Sequence, residues 1–134
     1  MTALRVGLVQ MRSGVEPASN VAAADALIRT AAAEGAKLVI TPEATHLLQR
    51  DDEAMAAAAR PPEEDPAIAH FAALAKQLGI WLEIGSLMVK LDDGRVANRA
   101  HVFNPEGETA ALYDKIHLFD VQLGSGEGYK ESKR

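Results

Sequence analysis

Apolar positions along this chain fall into two alternating rhythms. In L-R-V-G-L-V-Q-M (4–11), Leu4, Val6, Leu8 and Met11 form a β-prone run that predicts a buried first strand. The loop S-G-V-E-P-A-S-N follows and ends at Ser19 or Asn20, either of which can cap a helix. Val21, Ala24, Leu27, Ile28 and Ala31 then repeat at helical spacing, and Gly35 closes that helix. K-L-V-I-T (37–41) returns to a strand, which Pro42 ends. Strand, helix, strand in that order implies a right-handed parallel crossover.

The rhythm blurs over 44–64, where R-D-D-E, M-A-A-A-A and R-P-P-E-E-D-P predict a short helix and then a solvated loop. Asp65 with Pro66 is a cap followed by a first-turn proline. Ile68, Phe71, Leu74, Ala75 and Leu78 line one face of a second long helix, which stops at Gly79. A third strand covers 80–89, with Ile80, Leu82 and Ile84 on one face. D-D-G (92–94) signals a hairpin. Strands at 95–103 and 109–113 are joined by N-P-E-G-E, and the glycine-rich end of the chain reads as a loop. The class is α/β, a sheet whose helices cover one face. Its other face needs a further layer, either a second sheet or another chain. No repeat, linker or boundary divides residues 1–134.

Composition narrows the function. The chain has 134 residues, 48% of them hydrophobic, which supports a folded core. A net charge of −5 disfavours nucleic acid as a partner, because phosphate binding needs a basic surface. No apolar run is long enough to cross a bilayer, and the N-terminus reads as a strand rather than a signal peptide. A cytoplasmic location is the default expectation. With no cysteine, these residues offer no disulfide, thiolate zinc site or thiol nucleophile. His46, His70, His101 and His117 show no metal-ligand spacing, so no metal is expected. His101 reads as a strand residue with a satisfied hydrogen bond, and Trp81 as part of the core or of a sheet–sheet contact. Gly124, Gly126 and Gly128 lack the spacing of a phosphate loop, and no serine lies in a G-x-S-x-G context.

Three charged residues stand out by position. Glu43 directly follows strand 37–41, and ligand sites in α/β sheets gather at carboxyl ends of strands. It can serve there as a general base, or simply begin a helix as a surface carboxylate. Lys115, after strand 109–113 and before I-H-L-F, can stabilise developing negative charge or pair with Asp114 or Asp120. Glu131, in Y-K-E-S, reads on its own as a solvated loop charge.

Taken together, V-G-L-V-Q-M, G-A-K-L-V-I-T-P-E, N-R-A-H-V-F-N-P-E-G and Y-D-K-I-H-L-F-D-V resemble ordered segments of the nitrilase superfamily, the carbon–nitrogen hydrolases. K-I-H-L-F-D is similar to the Nit branch, which contains omega-amidases and deaminated-glutathione amidases. The resemblance implies the N-terminal portion of a four-layer αββα sandwich. It assigns Glu43 as general base, Lys115 as the group that stabilises the tetrahedral intermediate, and Glu131 as the acid that orients substrate and lysine. It further implies that Lys115 is buried, with a neighbouring glutamate keeping it charged and the apolar residues around it excluding water. The implied substrate is a small carboxylate-bearing amide, hydrolysed with release of ammonia and without cofactor or metal. Homodimerisation is expected of the full-length family.

One departure matters. The family's nucleophile is a cysteine on a later strand, and this sequence contains none. The expectation is an amidase domain incomplete at its C-terminus, inactive over these residues alone. The alternative is a non-catalytic homologue acting as a binding or interaction module.

Overall fold

A computed structural model describes residues 3–122, 124, 126 and 128–133. Five strands form one sheet in chain order: β1 (Val6–Leu8), β2 (Leu38–Ile40), β3 (Trp81–Lys90), β4 (Val96–Phe103) and β5 (Thr109–Asp114). The first two pairings are parallel, and the later two are antiparallel. The helix α1 (Pro17–Ala33) supplies the crossover between β1 and β2. Between β2 and β3 come the short α2 (Asp52–Ala58) and the longer α3 (Pro66–Leu78).

The helices form where their sequences say which face is dry. In α1, Asn20, Ala24 and Ile28 are buried at four-residue intervals. In α3, Ala67, Phe71, Leu74 and Ala75 face the sheet. Asp65 caps α3 by accepting the Ala67 N–H at 2.9 Å, and Gly79 ends it at φ 62°. Both helices pack on the sheet face that carries Val39, Leu82, Ile84, Leu87, Val89 and Phe103, which form the main core. Within that core β1 touches α1 almost directly. A Cβ on Gly7 would lie 2.7 Å from the Ala31 Cβ, so only glycine fits there.

Three expectations change. The first strand is an edge strand of three residues, and Val6 and Leu8 are exposed because their side chains lie on the sheet face that the helices leave uncovered. Helix α1 begins at Pro17 after Glu16, not at Ser19 or Asn20. Asn20 is spent on a tertiary clamp: its Nδ2 donates to the Gly14 and His46 carbonyls at 2.8 Å each, and its Oδ1 accepts from the Gly14 N–H. Of the two places expected for Trp81, the core is not the one it takes: it lies on the sheet face opposite the helices, where a second sheet would pack. The end of the chain is not simply a loop. A second, two-stranded sheet pairs β6 (Asp120–Gln122) with β7 (Gly128–Lys130), and a 3₁₀ turn follows at Glu131–Lys133. Ser125, Glu127 and Arg134 of that predicted loop, and Leu123 before it, lie outside the described residues.

The expected one-sided cover is present. Alternation along the strands places Val6, Leu8, Trp81 and Tyr113 on the face opposite the helices. Leu8 is 79%, Trp81 44% and Tyr113 57% exposed, so large apolar groups stand in water on one surface. Single exposed apolar residues are ordinary, but a shared apolar face marks a surface built to be covered. This chain by itself is therefore expected to self-associate. Light scattering coupled to size exclusion should report species heavier than the 14.3 kDa monomer. A monodisperse monomer that melts cooperatively would contradict that expectation.

Candidate active site

The site starts from an irregularity in β3. The β3–β4 register shifts between Ile84 and Leu87, and the displaced residues Gly85 and Ser86 receive the turn that follows β2. Thr41 N–H donates to the Glu83 carbonyl at 2.9 Å, Ser86 N–H to the Pro42 carbonyl at 3.0 Å, and Thr45 N–H to the Ser86 carbonyl at 2.9 Å. The Thr41 and Thr45 hydroxyls lie 2.7 Å apart, and Ser86 Oγ accepts the Ala44 N–H at 3.1 Å. This network over-determines the turn enough to hold Ala44 at φ 55°, a left-handed conformation rare for a residue with a Cβ. The turn approaches so closely that a Cβ on Gly85 would lie 2.3 Å from the Thr41 carbonyl oxygen. Glu43, sitting inside this turn, is thereby aimed across the end of the sheet.

Two further elements bring its partners. Lys115 extends β5 by donating its backbone N–H to the Asn98 carbonyl at 2.9 Å, which seats it beside Asn98 on β4. Glu131 returns to the same place through the β6–β7 hairpin. Its backbone N–H donates to the Phe119 carbonyl at 3.1 Å, while its own Oε2 accepts the Phe119 N–H at 2.7 Å. Asp120 locks the next residue by accepting both the Ser132 N–H and hydroxyl, and these two bonds hold the Asp120 carboxyl below its ordinary range.

The three predicted residues meet at one ammonium. Lys115 Nζ donates to Glu43 Oε1 at 2.8 Å and to Glu131 Oε2 at 2.9 Å. Asn98 Nδ2 ties the carboxylates together from the other side, at 2.7 Å to Glu43 Oε1 and 3.0 Å to Glu131 Oε1. Asn98 escaped the sequence reading, although a signal existed. It shares a strand face with Val96, Ala100 and Val102, where a buried amide has to be hydrogen-bonded.

Burial differs among the three. The Glu131 side chain is 10% exposed, Lys115 26% and Glu43 56%. Lys115 is thus only partly buried, contrary to the expectation, and Ile116, Leu118 and Phe119 beside it are exposed rather than sealing it from water. Desolvation alone would push the Lys115 pKa down. The hydrogen bonds and charges of Glu43 and Glu131 outweigh it and hold the pKa above the ordinary lysine value. Burial would likewise raise Glu131, but the Phe119 N–H, Lys115 and Asn98 more than offset it and hold the carboxyl below its usual range.

A cavity of about 760 Å³ opens on these groups. Its polar end is Glu43, Lys115, Glu131 and Asn98; Ala44, Met55, Met88 and Phe119 supply apolar wall. Fixed carboxylates, one held at half exposure and one buried, around a lysine whose charge they favour can accept a proton and stabilise an oxyanion within one small volume. Among the described residues no group of three or more His, Cys, Asp or Glu could hold a metal ion. His101 is buried, its Nδ1 lies 3.2 Å from the Arg99 carbonyl, and desolvation lowers its pKa.

Comparison with known proteins places the chain. The family model described as carbon–nitrogen hydrolase matches residues 5–133. Human omega-amidase NIT2 is 34% identical over 133 residues, which are 99% of this chain and 47% of the human protein. A deaminated glutathione amidase of Yersinia enterocolitica is 31% identical, over 95% of this chain and 45% of its own length. Among solved structures, the C. elegans NitFhit protein superposes with a TM-score of 0.80 at 26% identity, over 95% of this chain and 31% of that one. XC1258 from Xanthomonas campestris, a CN-hydrolase superfamily protein, gives 0.75 at 31% identity, over 89% and 43%. The chain spans less than half the length of these relatives.

Two outcomes are expected of this geometry. Gly85→Ala should destabilise the chain by about 1–3 kcal/mol, the usual range for an overpacked site. Urea denaturation checks the magnitude, and faster amide exchange at Thr45 and Ser86 would localise it to the turn. Glu131→Gln removes one of the two charges on Lys115, so the lysine pKa should fall, as read by NMR titration of its Cε. The signs set the pH window. Glu131 titrates below its ordinary 4.5, so its contribution to stability is present above that value and lost as pH falls through the folded pKa. Lys115 titrates above its ordinary 10.5, so its contribution is complete below that value and lost as pH rises through the folded pKa.

Proposed function

The chain belongs to the carbon–nitrogen hydrolase family, and from that membership we propose that it is the glutamate- and lysine-bearing part of an amidase whose cysteine nucleophile lies outside these residues. The observation that carries the reading is one ammonium, Lys115 Nζ, held by Glu43 at 2.8 Å and Glu131 at 2.9 Å at the polar end of a cavity. Relatives named as omega-amidases and as a deaminated glutathione amidase support an amide as substrate. A small amide that also bears a carboxylate is the substrate class proposed.

In this reading Glu43 takes the thiol proton, and the thiolate attacks the carboxamide carbon. The carbonyl π electrons move to oxygen, and Lys115 stabilises the resulting oxyanion. When the tetrahedral intermediate collapses, the C–N bond breaks and the proton held on Glu43 passes to the leaving nitrogen, which departs as ammonia. A water molecule then gives a proton to Glu43 and attacks the thioester carbon. Breaking the C–S bond releases the carboxylic acid and returns the proton to sulfur. Glu43 is suited to the moving proton because it is half exposed, whereas the more buried Glu131 is suited to hold Lys115 in place. Asn98 fixes both carboxylates and has a positioning role.

The absence of cysteine favours a second reading, a binding module in which the same cluster holds a ligand without cleaving it. Reading the gene beyond the Arg134 codon separates the two. A continuous frame reaching a strand with a cysteine supports the amidase, and a stop codon there supports the module. In the protein carrying its nucleophile, Lys115→Ala and Glu43→Gln should each cut ammonia release by about 10²-fold or more. Circular dichroism should show both variants folded. Near-native turnover in either would remove that residue from the mechanism.

A further inference from the structure

We propose that His46 is a positioning residue of this site: it fastens the Glu43 turn to the helical layer and thereby keeps the Glu43 carboxylate within reach of Lys115. The inference rests on the amidase reading for the task of Glu43, and adds to it a buried imidazole that the proposed chemistry leaves unused. Ala44, Thr45, His46 and Leu47 follow Glu43, and all four are buried. They are anchored differently. Ala44 and Thr45 are bonded to Ser86 of β3, and Leu47 sits in a small apolar cluster with Met55 and Met88. His46 joins the turn to both long helices. Its carbonyl accepts from Asn20 of α1 at 2.8 Å, and its Nε2 lies 3.3 Å from Asp65 Oδ2 at the start of α3.

The chemistry of the second contact makes the imidazole hard to move. Asp65 spends Oδ1 on the Ala67 N–H that caps α3, so Oδ2 is left to the imidazole. The two side chains are 3% and 4% exposed. Among the described residues neither Asp65 Oδ2 nor His46 Nδ1 makes an aligned hydrogen bond, so the ring is held by its nearness to the carboxylate. Drawing the ring away would leave that oxygen buried with no donor near it, which is costly. An apolar side chain could fill the same space and anchor the turn without that cost. What the polar pair adds is a single acceptable partner, and so a single depth at which the turn can sit. Glu43 needs that depth, because its side chain is 56% exposed and water competes for it. Its bonds to Lys115 at 2.8 Å and Asn98 at 2.7 Å close only if the turn is in place. In the proposed cycle Glu43 takes up and returns a proton at each turnover. Its return to Lys115 therefore has to be set by the backbone beneath it.

Acetylation of the lysines at mildly alkaline pH, followed by mass spectrometry, tests the assignment on the chain as it stands. Only the free amine reacts, so Lys115, whose pKa its bonds to Glu43 and Glu131 help hold up, should label more slowly than the exposed Lys37. Glu43→Gln removes one of those charges and should raise the Lys115-to-Lys37 ratio by about tenfold, the effect of one pKa unit. His46→Leu should raise it nearly as far, because the turn is then free to shift. His46→Gln keeps a donor where Nε2 stands and should hold the ratio within about twofold of the parent chain. Circular dichroism confirms that each variant is folded, and a folded variant that is merely less stable unfolds too rarely to move the ratio. An unchanged ratio in folded His46→Leu overturns the inference. Should that variant fail to fold, Asp65→Ser decides: serine still caps α3 but is too short to reach the imidazole, so the ratio should rise, and no rise overturns the inference. If Glu43→Gln itself leaves the ratio alone, the contact that carries the amidase reading fails, and the role of His46 fails with it. If Glu43→Gln raises the ratio and the His46 and Asp65 variants do not, the amidase reading stands and the inference alone falls.

Discussion

A single positive charge organises this chain. Lys115 brings an ammonium to a point between two carboxylates, and the groups that meet there come from residues 43, 115 and 131, on three different elements. Such a cluster does not assemble through its own attraction. Partly exposed ion pairs are individually weak, and each long side chain loses rotamer freedom when it is held. The backbone therefore has to deliver the groups nearly in place. The Glu43 turn is fastened to the shifted register of β3, Lys115 continues the β4–β5 ladder, and Glu131 is fastened to Phe119 by a reciprocal pair of hydrogen bonds. Asn98 then closes the cluster from beneath.

That delivery explains several features that look costly in isolation. Ala44 adopts a positive φ, a glycine stands where any Cβ would strike the Thr41 carbonyl, and buried hydroxyls of Thr41, Thr45 and Ser86 replace apolar packing. All of these lie in the Glu43 turn or directly against it. The main core is conventional by contrast, with alanine-rich helices on one face of the sheet and β-strand aliphatics beneath them. Strain and polarity concentrate where the carboxylate is aimed, which is where such costs have a use.

The sequence made the layers legible because they rest on periodicity. The α3 face of Phe71, Leu74 and Ala75, its Asp65 cap and its Gly79 stop all appear where spacing placed them, as do the D-D-G and N-P-E-G-E turns. Edges and tertiary exceptions were less legible. A strand pattern cannot say that Val6 and Leu8 lie at a sheet edge, since periodicity describes faces and not neighbours. Nor can a cap motif announce that Asn20 will bond Gly14 and His46 instead of a helix N-terminus. For the site, Glu43, Lys115 and Glu131 were found by motif resemblance, and their position alone left each open to a bland reading. The β6–β7 hairpin that carries Glu131 back was hidden among glycines and charges, where no apolar alternation reports a strand.

The partial exposure of Lys115 bears on how the proposed chemistry would gain rate. A fully buried lysine with one acid would be a strong donor to any carbonyl, bound substrate included, and equal binding of ground and transition states accelerates nothing. Here the ammonium is already hydrogen-bonded to two carboxylates. A neutral amide oxygen competes poorly with either of them. An oxyanion competes far better, because its charge approaches that of the carboxylate it must displace or share. Proton uptake by Glu43 in the same step removes the negative charge of one competitor as the oxyanion forms, and frees the ammonium toward it. The two carboxylates thus make the lysine selective for the moment at which charge has moved. A pairing that looks self-cancelling in the resting site would bias Lys115 toward the transition state.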